Sequence, residues 1–274
     1  MSLLAELQAL MHEYRFRPNQ RLSQNFIVDE ALLEKMVAAA ELKKTDSVAE
    51  IGCGTGFLTR RLLGHCKVIG FEKDAKMAEI LSAKFSDEKG FTLVQGDFLS
   101  VDFPEFTKVV SLPPYGISTD LIVRLFLLEP EKAVLVLQRE FVEKLAAEPG
   151  FWDYGYVSVL TSLRFDVRVA ERSISPGSFY PSPNSFSSLV VLSAKRPRPK
   201  IPDPQNFVFF VRTLFRYQNK NLANALRNSM PDLEAKMKIN RKAAEAVADS
   251  DAGDEKVKLI EPEAFADIFT KISR

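Results

Sequence analysis

The stretch SVAEIGCGTG, residues 47–56, decides the fold. It opens as a short apolar run, breaks into glycines at alternate positions, and gives way to the helical LTRRLLG (58–64). A buried strand turning through glycines into a helix is the opening unit of a parallel α/β sheet. Glycine there permits both the tight turn and the close approach of a ligand to the backbone. The spacing is GxGxG, which differs from the GxGxxG of dinucleotide folds, and no lysine follows to make a phosphate loop. An unliganded β–α turn uses the same residues, so the loop alone leaves its role open.

Outward from the loop, KVIGFEKD (67–74) is a second buried-strand pattern ending in acids, followed by the helical KMAEILSAKF (76–85). FTLVQGD (91–97), KVVSLPPYG (108–116) and AVLVLQREF (133–141) continue the alternation of strand and helix. This predicts a parallel sheet joined by helical crossovers. Upstream, DEALLEKMVAAAEL (29–42) reads as a helix with Asp29 and Glu30 at its positive end. Residues 1–16 read as another helix, because the acids in MSLLAELQALMHEYRFRP and its lack of a cleavage signature do not suit a signal peptide. Downstream, YVSVLTSL (156–163), FDVRVAERSI (165–174) and SSLVVLSA (187–194) read as strands, with a closing antiparallel pair at one sheet edge. The proline-rich, basic AKRPRPKIPDP (194–204) reads as a linker, and the remainder reads as helical. The expected organisation is a sheet domain over 1–195, a linker over 196–204 and a helical domain over 205–274.

The chain of 274 residues is 46% apolar and 27% charged, ample for a packed core. It has no apolar run of the roughly 18 residues that a membrane span needs. Cys53 and Cys66 make no disulfide framework and fit a reducing cytoplasm. The two His and two Cys lack ligand spacing, so no metal site is expected. The net charge of +1 hides an asymmetry: residues 195–242 hold twelve Lys/Arg against three acids, and residues 243–267 hold eight acids against two lysines. That pattern suits a polyanion-facing surface beside a solvated acidic one, although charges spread over solvated helix faces give the same count.

Glu72 falls at the tip of the second strand, where a carboxylate can accept both hydroxyls of a ribose. Asp97 falls at the end of the third, where it can accept from an adenine amine. Either acid alone reads as a solvated strand end. In register with the glycine loop, they describe an adenosyl pocket at the carboxyl ends of parallel strands.

This constellation resembles the S-adenosylmethionine-dependent methyltransferases. Four further segments look like those of the KsgA family of small-subunit rRNA adenine-N6 dimethyltransferases: RLSQNFIVD (21–29), VVSLPPYGIS (109–118), FYPSP (179–183) and FRYQNK (215–220). The resemblance runs from Arg17 onward in the family's order. It implies a Rossmann-like methyltransferase sheet with a small C-terminal all-helical domain, S-adenosyl-L-methionine as cofactor, and small-subunit rRNA within the pre-small ribosomal subunit as partner. It implies that Gln24, Asn25 and Ile27 close over the cofactor, that Gly52 and Gly54 lie under its methionine part, and that Glu72 and Asp97 hold ribose and adenine. Phe98 would flank the base, with Glu50, Lys73 and Leu112 completing the cofactor set. The catalytic loop would be Leu112-Pro113-Pro114-Tyr115, with Tyr115 and Phe179 as clamps for the target adenine. A packed strand-end role for Tyr115 and a gap-filling role for Phe179 are the plainer alternatives. Nothing demands a dimer, so a monomer is expected.

The sequence departs from the family at its chemical centre. Aligned on Pro-Tyr-x-Ile-Ser, the family's Asn falls at Leu112, which has no side-chain acceptor. A shifted register offers the Ser111 hydroxyl but displaces the aromatic. Ser23 stands for a glycine, Lys144 for an arginine, and Tyr156 and Gln218 for arginines that the family turns toward RNA. The expected activity is dimethylation of two adjacent adenines in the 3′-end hairpin, reduced or altered by Leu112. The alternative is an RNA-binding assembly or transcription factor that keeps the pocket without the catalysis.

Overall fold

The structure, a computed structural model, describes residues 1–102 and 104–273. The chain packs as two compact units. The first comprises Met1–Leu121, Pro130–Val142 and Val167–Ser193; the second comprises Ile122–Glu129, Glu143–Asp166 and Ala194–Arg274. The second unit thus draws two internal segments from within the expected 1–195 range.

In chain order the elements begin α1 (Leu3–Glu13), β1 (Phe26–Ile27), α2 (Glu30–Ala40), β2 (Ser47–Ile51), α3 (Phe57–Leu63) and β3 (Lys67–Glu72). There follow α4 (Ala75–Lys84), β4 (Phe91–Gln95), β5 (Lys108–Ser111), α5 (Ser118–Leu128), β6 (Lys132–Gln138) and α6 (Arg139–Leu145). The chain continues through α7 (Tyr156–Arg164), β7 (Phe165–Ile174), β8 (Phe179–Tyr180) and β9 (Ser187–Ala194). It ends with α8 (Pro204–Phe215), α9 (Leu222–Lys236), α10 (Arg241–Ala248), α11 (Asp251–Asp254) and α12 (Pro262–Ile272).

Seven strands form one sheet in the order β4-β3-β2-β5-β6-β9-β7. The pairs β3–β4, β2–β3, β2–β5 and β5–β6 are parallel, and β9 runs antiparallel to β6, which is the expected closure at one edge. The central strands are mostly apolar, as a sheet covered on both faces requires: Val48, Ala49, Val109, Val110 and Ala133 to Leu137 are fully buried or nearly so. Asp29 caps α2 by accepting from Leu32 N, and Asp74 caps α4 by accepting from Lys76 N. One side of the sheet packs on a core built from Leu3, Leu7, Leu33, Met36, Leu62 and Val134. Both cysteines are buried free thiols.

In the second unit, Phe207, Phe210, Leu214, Leu226, Phe265 and Phe269 form the centre of a helical core. Phe126 of α5 stacks on Phe207 with 5.9 Å between ring centroids. The Tyr154 hydroxyl donates to the Ile260 carbonyl at 2.8 Å.

One element differs from the sequence reading. YVSVLTSL is helix α7 and not a strand. Its Val157/Val159 alternation imitates a strand with one polar face, yet Ser158 and Thr161 are also buried. A helix satisfies those hydroxyls: Ser158 Oγ accepts from Gly155 N and donates to the Lys144 carbonyl, and Thr161 Oγ1 donates to the Val157 carbonyl one turn back.

Candidate functional site

A cavity of about 310 Å³ opens at the carboxyl ends of β2, β3, β4 and β5. Glycine makes its floor. Gly52 and Gly54 have φ of +73° and +54°, a left-handed conformation that L side chains rarely adopt. A Cβ on Gly52 would lie 3.2 Å from Pro114 Cδ, and one on Gly54 would lie 3.2 Å from the Phe26 ring. Both positions therefore need glycine for conformation and for space.

Glu72 is held rigidly at the tip of β3. Its Oε2 accepts from Gly54 N and its Oε1 from Asp74 N, each at 2.9 Å. One carboxylate thereby ties the glycine loop to the start of α4 and keeps lone pairs for a further donor. Burial pushes its pKa above the ordinary carboxylate value, an effect the two backbone N–H groups oppose. At the tip of β4, Asp97 Oδ1 accepts from Leu99 N at 3.0 Å, and Oδ2 pairs with Lys73 Nζ at 3.0 Å. The Leu99 N–H, followed by the Lys73 ammonium, holds the Asp97 pKa below its usual value. The cavity therefore presents two anionic acceptors, one desolvated and one ion-paired.

The N-terminal segment forms the other wall. Gln24 donates through Nε2 to Asp74 Oδ2 and accepts from Asn19 N, both at 2.8 Å. Asn25 Nδ2 donates to the Ser23 carbonyl at 3.2 Å. Ser23 sits at φ +51°, a left-handed position where a glycine would be unstrained.

At the end of β5, Leu112, Pro113, Pro114 and Tyr115 all line the cavity. Tyr115 Oη and Ser187 Oγ are 2.6 Å apart, which fixes the phenol ring, and burial raises its pKa. Ser111 does not face the cavity. It is fully buried, and its hydroxyl donates to the Ile51 carbonyl at 2.6 Å. The shifted register that would recruit Ser111 is thus closed, and the next residue, Leu112, lines the cavity without a side-chain acceptor.

Of the expected residues, the cavity gathers Gln24, Asn25, Gly52, Gly54, Glu72, Lys73, Asp97, Phe98, Leu112, Pro113, Pro114 and Tyr115. Glu50 and Ile27 line a smaller adjoining cavity of about 50 Å³ that shares Asn25, Gly52, Gly54 and Leu112 with the main one. Glu50 is buried beneath the loop, where its Oε2 accepts from Thr59 Oγ1 at 2.6 Å. Burial, with a smaller contribution from nearby Glu72, pushes its pKa up to about 8. Phe179 is the exception. It is 2% exposed, sits opposite Ile27 in the β1/β8 ladder, packs in the core and does not line the cavity. Backbone pairing directs its side chain into the core, so in this structure only Tyr115 of the two expected clamps reaches the site. Arg21 also lines the cavity; it falls within RLSQNFIVD but carries no local signal of its own, and Ile51 and Gly96 line the cavity as well. Among the described residues no group of three or more His, Cys, Asp or Glu could hold a metal.

The strand order and the glycine loop, with Glu72 and Asp97 on the following strands, place the chain in the class of Rossmann-like methyltransferases. The family model described as ribosomal RNA adenine dimethylase matches residues 15–270. A probable ribosomal RNA small subunit methyltransferase A of Methanopyrus kandleri is 40% identical over 80% of this chain and 80% of its own length. One from Thermococcus onnurineus is 34% identical over 96% of this chain and 95% of its own. Among solved structures, a dimethyladenosine transferase from Plasmodium falciparum superposes with a TM-score of 0.72 at 24% identity, covering 89% of this chain and 95% of that one, a likeness of fold. The 23S rRNA methyltransferase ErmE superposes with a TM-score of 0.62 at 26% identity over 90% of this chain and 99% of that one. The chain belongs to the ribosomal RNA adenine dimethylase family.

Proposed function

We propose that this protein uses S-adenosyl-L-methionine to methylate the exocyclic amines of two adjacent adenines in the 3′-end hairpin of small-subunit rRNA. It would act as a cytoplasmic monomer on pre-small ribosomal subunits. The observation that carries the reading is the Glu72 carboxylate, clasped by Gly54 N and Asp74 N at one side of a cavity whose other side holds Tyr115. The residues fit the cofactor: Gly52 and Gly54 would leave room for its methionine part, Glu72 would offer acceptors to ribose hydroxyls, and Asp97 would accept from the adenine amine, with Phe98 also lining the cavity. When bound, S-adenosyl-L-methionine supplies an electrophilic methyl group.

The chain's own work is on the nucleophile. An adenine amine is weakly nucleophilic because its lone pair is delocalised into the ring. Acceptors for its two protons draw the nitrogen toward tetrahedral geometry and aim the lone pair. In this chain the backbone carbonyls of Leu112 and Pro113 would be the acceptors at the di-proline turn, since the Leu112 side chain offers none. Tyr115, fixed through Ser187, offers the ring on which an unstacked adenine would lie. Purified protein given the cofactor and undermethylated small subunits should place methyl label in the 3′-end hairpin. Absence of label under conditions where a family member works would overturn the reading.

Leu112 favours one second reading, an RNA-binding assembly or transcription factor that retains the cofactor cavity. It predicts cofactor binding with no methyl transfer even after Leu112→Asn. Recovery of transfer in that variant would instead mark a weakened enzyme.

A further inference from the structure

The second unit carries an exposed aromatic pair outside the cavity. Trp152 is the single tryptophan of the chain and is 88% exposed; Phe151 beside it is 60% exposed. Large aromatics are seldom left so open in a soluble domain without a partner to cover them. The loop that bears them is not loose. Gly150 N donates to the Lys258 carbonyl at 2.8 Å, and the Tyr154 hydroxyl donates to the Ile260 carbonyl at 2.8 Å. Gly150 takes φ +87°, with Leu259 close enough that an added Cβ would come within 3.3 Å. The segment it docks on is paired in turn to the turn after α8: Lys258 N donates to the Gln218 carbonyl at 3.1 Å and Val257 N to the Lys220 carbonyl at 3.0 Å. These bonds bring the segments bearing Phe151, Trp152, Lys220, Lys256 and Lys258 side by side, and among the described residues none of the three lysines lies within ion-pair distance of a carboxylate. Acids share these segments at Glu148, Asp153, Asp254, Glu255 and Glu261 and outnumber the three lysines, so aromatic surface, not net charge, is the dominant feature.

We infer that Phe151 and Trp152 form a stacking platform for an unpaired nucleobase of the RNA substrate, with Lys220, Lys256 and Lys258 meeting the adjoining phosphates. This deepens the proposed function and rests on its RNA substrate. The chemistry fits one occupant. A base offers a π-face to indole and phenyl rings, and its phosphates need unpaired cations nearby. It also gives a physical use to a region in which Tyr156 removes a guanidinium: part of the grip moves from charge to stacking.

Trp152 is its own reporter. Titration of the full chain with single-stranded octaadenylate should quench the tryptophan emission saturably, and a blunt RNA duplex of equal length should not. By anisotropy with labelled octaadenylate, Trp152→Ala should weaken binding about tenfold and Trp152→Phe by far less. The salt dependence should be unchanged in Trp152→Ala and shallower when Lys256 and Lys258 are both replaced by Gln. Circular dichroism controls for folding. Equal octaadenylate affinity for the parent and Trp152→Ala, or an unmoved emission on binding, would overturn the inference. So would emission that changes only with protein concentration and a self-association lost in Trp152→Ala, since the patch would then join two copies of this chain. Methyl transfer assayed in parallel separates the two claims. Labelled subunits with no Trp152 effect sink the platform alone, whereas absence of both label and RNA binding sinks the function on which it rests.

Discussion

At the ends of β2, β3 and β4 every polar group has a fixed place. Glu72 is clasped by two backbone N–H groups, Asp97 by Leu99 N and Lys73, and the glycines hold conformations no other residue would take easily. At the end of β5 the picture reverses. Ser111 spends its hydroxyl on Ile51, and the next side chain, Leu112, offers only carbon. The tips of β3 and β4 carry anchored carboxylates, whereas the side chains of Leu112, Pro113 and Pro114 bring no polar atom to the cavity beside Tyr115. Binding and transfer are therefore separable in this chain, and substitutions at the two places should have different signatures.

The largest expected effect sharpens that contrast. Leu112→Asn should raise the methyl-transfer rate on the order of 10²–10³-fold, by analogy with the loss of one preorganised polar group, while the cofactor dissociation constant stays within about twofold. Single-turnover transfer and calorimetry on the same variant check both halves. A rate gain matched by tighter cofactor binding would erase the distinction.

A second test is on the bound side of the loop. Glu50 has its folded-state pKa raised to about 8 against an ordinary 4.5. Between those values the folded chain holds a proton that the unfolded chain has released. The contribution of Glu50 to stability is therefore most favourable below about 4.5, falls as pH rises, and bears the full penalty above about 8. Glu50→Gln should remove up to about 1.4 kcal/mol per pH unit of that slope. Denaturant melts of parent and variant from pH 5.5 to 8.5 (a range spanning about three units) measure the difference. Parallel curves would contradict the assignment. The smallest effect is Ser23→Gly, expected to stabilise the fold by about 1 kcal/mol by relieving the left-handed backbone, with no loss of cofactor affinity.

The glycine loop and the two acids were legible because strand period and loop position are local: a carboxylate directly after an apolar run must sit at a strand tip. Three features were not legible, each for a non-local reason. YVSVLTSL has the alternation of a strand, and only the joint burial of Ser158 and Thr161, which a strand would place on opposite faces, reveals a helix. Phe179 stands in a proline-rich loop that suits a clamp, but its pairing opposite Ile27 turns it into the core. The second unit takes Phe126 and Tyr154 from inside the expected sheet domain, because their partners Phe207 and Ile260 lie about a hundred residues further on. Leu112 was visible as a departure from the outset. That Ser111 cannot replace the missing acceptor needed the structure, since nothing in the sequence says toward which neighbour a strand-end hydroxyl turns.

The most direct trial is calorimetric titration of S-adenosyl-L-methionine into the parent and into Glu72→Gln. Saturable one-to-one heat in the parent, weakened about a hundredfold once the clasped carboxylate becomes an amide, is the result expected of a nucleoside lying across those strand tips. Absence of saturable heat in the parent, or unaltered affinity in the amide variant, would mean that the ligand binds elsewhere or not at all.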